Sequence, residues 1–82
     1  MKSRTSDRFW KCYIALPDNI KKQAKEAYRQ FLNNPYHPSL HFKKVHSTRP
    51  IFSVRITRDY RAIGILRDSE IIWFWIGSHS DY

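Results

Sequence analysis

The chain has 82 residues, with 15 Lys and Arg against 7 Asp and Glu, so its formal net charge is +8 with the histidines counted as neutral. This length indicates one small domain over residues 1–82 and excludes a large multidomain enzyme. The longest apolar run, residues 71–76, is far below the roughly 20 residues needed to cross a bilayer, and the charged start does not fit a secretory signal. A single cysteine, Cys12, excludes an internal disulfide. We therefore expect a cytoplasmic protein with no membrane association.

The positive charge predicts a polyanionic partner, because Lys and Arg side chains that contact phosphates release condensed counterions. Nucleic acid is the leading partner class. An acidic protein segment that wraps the basic surface is a second, and the charge could also serve only solubility. Charge alone does not choose among these three.

The first half of the chain predicts two helices. Ser6 can cap a short helix whose apolar residues recur on one face, and Pro17 ends it. A second helix is predicted at about residues 18–32, with apolar and charged residues on opposite faces. Residues 33–38, rich in Asn and Pro, end this helical hairpin.

The second half of the chain predicts strands. Residues 40–45 start a sheet, residues 52–57 alternate between apolar and polar side chains, and residues 60–66 and 71–76 form two further strands. The last strand is apolar on both sides, which indicates a central or covered position. The predicted fold is α+β, an N-terminal helical hairpin packed on one face of a small, mainly antiparallel sheet of three or four strands.

The register of the middle hairpin decides where two arginines point. A three-residue loop at residues 58–60 would place Thr57 opposite Arg61 and would put Arg55 and Arg61 on the same face. A two-residue loop would bury one of these arginines, which is costly. We therefore favour the three-residue loop, which leaves two guanidinium groups on the open face in a geometry suited to a phosphodiester.

His79 follows the last predicted strand, among hydroxyl, acidic and aromatic neighbours. An imidazole at this place can transfer protons near neutral pH. Beside a basic groove, the corresponding reaction is metal-independent RNA cleavage. A base removes the 2′-OH proton, arginines stabilise the charged phosphorane, and an acid protonates the leaving 5′ oxygen. The alternative is a surface histidine without a catalytic role.

Other polar residues extend the predicted groove. Lys43 and Lys44 would contact phosphates, or would protect an edge strand from aggregation. His46 could be a second titrating group, or a solvent-exposed loop histidine. His37 and His41 have the spacing of metal ligands on a helix, but a proline lies between them, so we predict no metal site and no cofactor.

Two tryptophans could also belong to the open face. Trp73 and Trp75 share the parity of His79 if the last strand is regular. A tryptophan on that face could stack on a base, whereas core packing is the commoner role.

Residues 52–63, FSVRITRDYRAI, and residues 72–82, IWFWIGSHSDY, resemble the RelE/ParE superfamily of bacterial type II toxins. The most distinctive pieces are the Tyr-Arg pair at residues 60–61 and the Gly-Ser-His at residues 77–79. The resemblance implies the toxin of a toxin–antitoxin pair, often an mRNA endonuclease that cuts on the translating ribosome and that a cognate antitoxin neutralises by covering the basic face. It also leaves open a ParE-like inhibitor of DNA gyrase that does not cut RNA, and a degenerate toxin that only binds RNA.

The resemblance also implies roles for single residues. Arg55 and Arg61 match basic residues along the groove strands of RelE-like nucleases, and His79 matches a position where the family carries Arg or His, closest to YafQ-type members. Tyr82 approximates a terminal aromatic residue, and Asp59 matches an acidic residue of some members. The strand that usually precedes the helical hairpin is limited here to residues 1–4 at most. The expected catalytic residues are His79, Arg61, Arg55 and Tyr82, and the expected RNA-binding residues are Lys43, Lys44, His46, Arg58 and Asp59.

Overall fold

Two helices cover one face of a five-stranded sheet in the computed structural model, which describes residues 1–81. The predicted α+β architecture is confirmed, but the sheet has five strands where three or four were predicted. The elements are β1 (Lys2–Thr5), α1 (Asp7–Ile14), α2 (Asp18–Asn33), β2 (Lys43–Lys44), β3 (Ile51–Arg55), β4 (Tyr60–Arg67) and β5 (Glu70–Ser78), with 3-10 turns at Pro38–Leu40 and His79–Asp81.

The sheet has the strand order β1-β5-β4-β3-β2, so β5 lies inside it, as its apolar sequence predicts. The β1 strand pairs with β5 in parallel, from Lys2 opposite Glu70 to Thr5 opposite Trp73, and the other neighbours are antiparallel. The first strand, which the sequence limits to residues 1–4 at most, is therefore present and runs one residue further, from Lys2 to Thr5.

The helical hairpin forms where the sequence predicts it. The Oγ of Ser6 caps α1 by accepting a hydrogen bond from the backbone N–H of Phe9 at 3.2 Å. Pro17 stands at the cap position immediately before α2, where its fixed φ and missing N–H do no harm. None of the described helices is long and apolar enough to span a membrane.

The core lies between the hairpin and the sheet. Phe31 of α2 is 1% exposed and meets Trp73 of β5 edge to face, with ring centroids 5.3 Å apart. An apolar cavity of about 370 Å³ opens on this same side, next to Trp10 and Tyr28. The buried apolar residues of the cluster are Leu16, Ile20, Ala24, Phe31, Leu40, Val54, Ala62, Ile71, Trp73 and Ile76.

The register of the middle hairpin differs from the prediction by two residues. Arg55, not Thr57, lies opposite Arg61. The backbone N–H groups of Ile56 and Thr57 both donate to the carbonyl of Tyr60, so the ladder ends two residues earlier than predicted. A shift of two residues preserves the faces of a strand, so both arginines still point to the open face.

A bulge in the β4–β5 pair separates the two tryptophans. Ile63 lies opposite Trp75 and the next residue, Gly64, lies opposite Trp73, so Phe74 has no partner in the register. The prediction that Trp73 and Trp75 share one face is therefore wrong. Trp73 is 3% exposed in the core, and its indole N–H donates to the Oγ of Ser3 at 3.0 Å, whereas Trp75 lies on the open face.

The segment before β3 also differs from the prediction. Residues 40–45 do not form one strand, because a 3-10 turn at Pro38–Leu40 places Leu40 in the core, and only Lys43–Lys44 pairs with β3. His37 caps this turn, since its Nδ1 accepts from the N–H of Ser39 at 3.2 Å. His41 then adopts a left-handed backbone conformation with φ 46°.

Candidate functional site

A basic cleft of about 270 Å³ lies on the sheet face opposite the helices. Four neighbouring chain segments build it: the residues around β2, β3 with its following loop, β4, and the end of β5. The residues of this basic cleft are His41, Lys43, Ser53, Arg55, Arg58, Arg61 and His79.

The sheet fixes the two arginines of the cleft side by side. Arg55 and Arg61 are direct cross-strand partners, so their Cα atoms are about 4.5–5.5 Å apart and their side chains leave the same face. Arg61 pairs on its other side with Gly77, which has no side chain to compete for this space. The two guanidinium groups therefore start from adjacent, rigid positions.

The floor of the cleft is formed by the residue pair that lies two positions along the strands from Arg55 and Arg61, on the same sheet face. Ser53 lies opposite Ile63, and these residues are only 3% and 1% exposed. Lys43 of β2 pairs with Ser53 and stands at the sheet edge. A small hydroxyl residue in the middle of the floor leaves depth beneath the longer basic side chains.

His79 enters the cleft from the end of β5. Its backbone N–H donates to the carbonyl oxygen of Asp59 at 2.6 Å, which ties the 3-10 turn at His79–Asp81 to the loop between β3 and β4. The same loop is shaped by Thr57, whose Oγ1 accepts from the N–H of Asp59 at 3.2 Å. The main chain of Asp59 thus positions His79, although Asp59 itself does not line the cleft.

His41 is a cleft residue that sequence reasoning missed. The Nη1 of Arg55 lies 3.4 Å from the Nε2 of His41. Its position follows from the observed register: because Lys43 lies opposite Ser53 in an antiparallel pair, the residue two positions before Lys43 faces the residue two positions after Ser53. In the sequence, the feature of His41 that stands out is its metal-ligand spacing with His37, and the part of the chain that the structure describes holds no cluster of three or more His, Cys, Asp or Glu suited to a metal ion.

The charges of the cleft are not balanced by acidic groups. Among the described residues, its lining combines Lys43, Arg55, Arg58 and Arg61 with two imidazoles and contains no carboxylate. The ion pairs of the described residues, Arg4–Glu70, Lys21–Asp18 and Arg29–Glu26, lie elsewhere. Like charges directly opposite each other destabilise a sheet, so this arrangement suits an anionic ligand that restores the balance.

The structure brings together some of the predicted site residues and separates others. Arg55, Arg61, His79, Lys43 and Arg58 all line the cleft. Tyr82, predicted to be catalytic, lies outside the described residues.

Three predicted RNA-binding residues do not line the cleft. Lys44 pairs with Phe52 and so takes the other face of the sheet edge from Lys43. His46 shapes its own loop, because its Nδ1 accepts from the backbone N–H groups of Thr48 and Arg49 at 3.3 and 3.1 Å. The third is Asp59.

These features define a class of protein: a small α+β domain with helices on one sheet face and a basic cleft on the other. A protein-family model described as a ParE-like toxin domain matches residues 18–82, and the chain belongs to this family. No curated protein sequence matches the chain significantly.

Solved structures share this fold over nearly the whole chain. A chain of the RelB–RelE antitoxin–toxin complex from Methanococcus jannaschii superposes with a TM-score of 0.78 at 18% identity, covering 95% of this chain and 92% of that chain. YafQ from E. coli strain BL21(DE3) gives 0.77 at 16% identity, with coverages of 98% and 94%. The toxin–antitoxin complex RelBE2 from Mycobacterium tuberculosis gives 0.74 at 17% identity, with coverages of 95% and 96%. At these identities the likeness establishes the fold.

Proposed function

We propose that this protein is the toxin of a type II toxin–antitoxin pair and that it cuts mRNA on the translating ribosome. The observation that carries the proposal is the pair Arg55 and Arg61, opposed on one open sheet face beside His79, with no carboxylate among the lining residues that the structure describes. Family membership and the toxin–antitoxin complexes among the structural neighbours support the same class of function.

The cleft residues divide the work of cleaving a ribose–phosphate linkage. Arg55 and Arg61 would hold the non-bridging phosphate oxygens and stabilise the additional negative charge of the phosphorane. His79 would transfer a proton at the scissile linkage. Lys43 and Arg58, at the sheet edge and in the loop, would contact flanking phosphates.

The proposed antitoxin is an acidic partner that covers the basic cleft. An acidic segment seated there would neutralise the same cations that hold RNA, so inhibition and substrate binding would exclude each other. Two of the structural neighbours quoted above were solved as antitoxin–toxin complexes, which supports a partner of this kind.

The test is the variant His79→Ala, expressed from an inducible promoter. Because positioned acid–base groups contribute about 10²–10⁴-fold, we expect it to relieve growth arrest and to slow mRNA cutting by about 100-fold or more. His37→Asn is the matched control, since asparagine can still cap the 3-10 turn outside the cleft. A folded His79→Ala protein that arrests growth like the parent would show that the assignment of His79 is wrong.

A second candidate is favoured by the family description, which is ParE-like. In that case the same scaffold would bind and block DNA gyrase without cutting RNA. Induction of the parent protein separates the two. The nuclease proposal expects new mRNA 5′ ends by primer extension and a silent DNA-damage reporter, whereas a gyrase inhibitor would give the reverse.

A further inference from the structure

We propose that His41 is the second proton-transfer residue of the basic cleft and that it acts as the general base opposite His79. This inference rests on the proposed ribonuclease function and adds a catalytic residue to it. Three observations carry the inference: the register position of His41, its contact with Arg55, and a cleft lining whose described residues include two histidines and no carboxylate.

The register places the two histidines on opposite sides of the arginine pair. Continued past the end of β2, the β2–β3 register sets His41 opposite Arg55, and Arg55 is followed across the sheet by Arg61 and then Gly77. His79 lies two residues beyond Gly77. With neighbouring strands about 4.8 Å apart, the backbone positions at the two ends of this row are about 14 Å apart.

This separation suits the geometry of an in-line displacement at phosphorus. The attacking and leaving oxygens lie on opposite sides of the phosphorus atom, so a base and an acid must also approach from opposite sides. A phosphate held between Arg55 and Arg61 would have one imidazole on each side. The imidazole side chains of His41 and His79 both line the cleft of about 270 Å³, so from these backbone positions they can extend toward a phosphate at its centre.

The contact with Arg55 orients the ring of His41. A guanidinium group has N–H donors and no acceptor, so in a hydrogen bond between these side chains the Nε2 of His41, 3.4 Å from Nη1 of Arg55, is the acceptor. Nε2 is therefore the ring nitrogen that faces the arginine pair. The other charged or titratable groups of the lining are Lys43, Arg58, Arg61 and His79.

The proposed step conserves atoms and charge. When RNA binds, Arg55 turns its N–H groups to the phosphate and releases Nε2 of His41, which takes the proton of the 2′-OH. The 2′ oxygen forms a bond to phosphorus while the bond from phosphorus to the 5′ oxygen breaks. The protonated imidazole of His79 gives its proton to that 5′ oxygen. The products are a 2′,3′-cyclic phosphate and a free 5′-OH.

The first measurement is single-turnover cleavage of mRNA bound to programmed ribosomes, with the parent protein, His41→Gln and His41→Asn. Gln keeps an acceptor within reach of Arg55, and Asn tolerates the left-handed backbone at φ 46°. Neither side chain transfers protons, so we expect both to slow cleavage by about 100-fold or more. His37→Asn is the control and should cut within threefold of the parent, and thermal unfolding checks that each variant is folded.

The pH dependence of the rate distinguishes a base from a residue that only positions Arg55. A base must be deprotonated and an acid protonated, so the parent should give a bell-shaped profile. Loss of the base should remove the rise on the acidic side, and loss of His79 should remove the fall on the alkaline side. A His41 variant that is slow but keeps the complete bell would overturn the proposal in favour of a positioning role.

A modified substrate tests the direction of proton transfer. Once the cut site is mapped, the 5′ oxygen there is replaced by sulfur, which leaves without protonation. We expect this substrate to restore the rate of His79→Gln and not that of His41→Gln. Restoration of His41→Gln instead would make His41 the acid and would overturn the assignment.

The outcomes separate this inference from the proposed function. Folded His41 variants that cut within threefold of the parent would refute the inference, while cleavage by the parent would still support the ribonuclease. A parent protein that cuts no mRNA on ribosomes would refute both.

Discussion

At the scale of single residues, the pair Arg55 and Arg61 is expected to lower the free energy of unfolding. The two side chains are cross-strand partners of like charge, and the ion pairs among residues 1–81 do not include either of them. Sites that bind or react with a ligand are commonly kept at the expense of stability. The uncompensated pair therefore fits the function proposed for this face.

We predict that Arg55→Thr stabilises the protein and impairs cleavage. Removing one of two opposed like charges and adding a good strand former should raise the free energy of unfolding by about 0.2–1 kcal/mol. Urea denaturation of parent and variant measures this change. Arg49→Thr, an exposed change outside the cleft, should leave stability almost unchanged, and a destabilised Arg55→Thr would contradict the argument.

At the scale of elements, the bulge between β4 and β5 depends on Gly64. A Cβ at this position would lie 2.8 Å from Cε3 of Trp73, 2.9 Å from Cγ1 of Ile71 and 3.1 Å from the carbonyl oxygen of Ile72. Trp73 and Ile71 are buried in the core, so they have no space into which to move.

We therefore predict that Gly64→Ala lowers the free energy of unfolding by about 1–3 kcal/mol, the usual cost of overpacking. The comparison is Gly77→Ala, whose Cβ would meet only the half-buried ring of Trp75, at 2.8 Å from Cζ2. Because that ring is only half-buried, whereas Trp73 and Ile71 are buried, Gly77→Ala should cost less. Equal losses in a denaturant titration would show that the core around Gly64 relaxes freely.

The sequence predicts which face of the sheet a side chain takes better than it predicts the register between neighbouring strands. The alternation of Val54 and Arg55 along β3 is enough to place the arginines on the open face, because side chains of a strand alternate strictly. The register instead follows the loop contacts, in which the N–H groups of Ile56 and Thr57 donate to the carbonyl of Tyr60, and the bulge follows the packing of Trp73 around Gly64. The alternation of apolar and polar residues does not predict either of these contacts.

The same limits explain what was missed in the site and at the sheet edge. His41 enters the cleft through a left-handed turn after Leu40, where an apolar-polar pattern suggested an ordinary strand. The β1 strand consists of two basic and two hydroxyl residues, Lys2–Thr5, so its own sequence has no apolar face. It is defined by its partner β5.

At the scale of the whole molecule, the net charge of +8 is shared between the cleft and the rest of the surface. Only cations that contact phosphates contribute to the salt dependence of RNA binding, with about 0.7 in the log–log slope for each contact to a single strand. The log–log slope of RNA affinity against salt concentration therefore measures how many cations of the cleft contact phosphates.

We predict that Lys43→Gln reduces this slope by about 0.7, measured by fluorescence anisotropy with a single-stranded RNA over a series of salt concentrations. Lys22→Gln removes the same charge from the exposed surface of α2, in the helical layer, and should leave the slope unchanged. Equal effects of the two variants would mean that RNA binding is diffuse and not directed to the cleft.

The strand order has a consequence for synthesis of the protein. The β5 strand comes after every other strand in the sequence and yet lies between β1 and β4. A nascent chain that has emerged only as far as β4 lacks Ile71, Trp73 and Ile76 from its core, and its first strand has no neighbour with which to pair. Folding must then wait until the segment through residue 78 has left the exit tunnel.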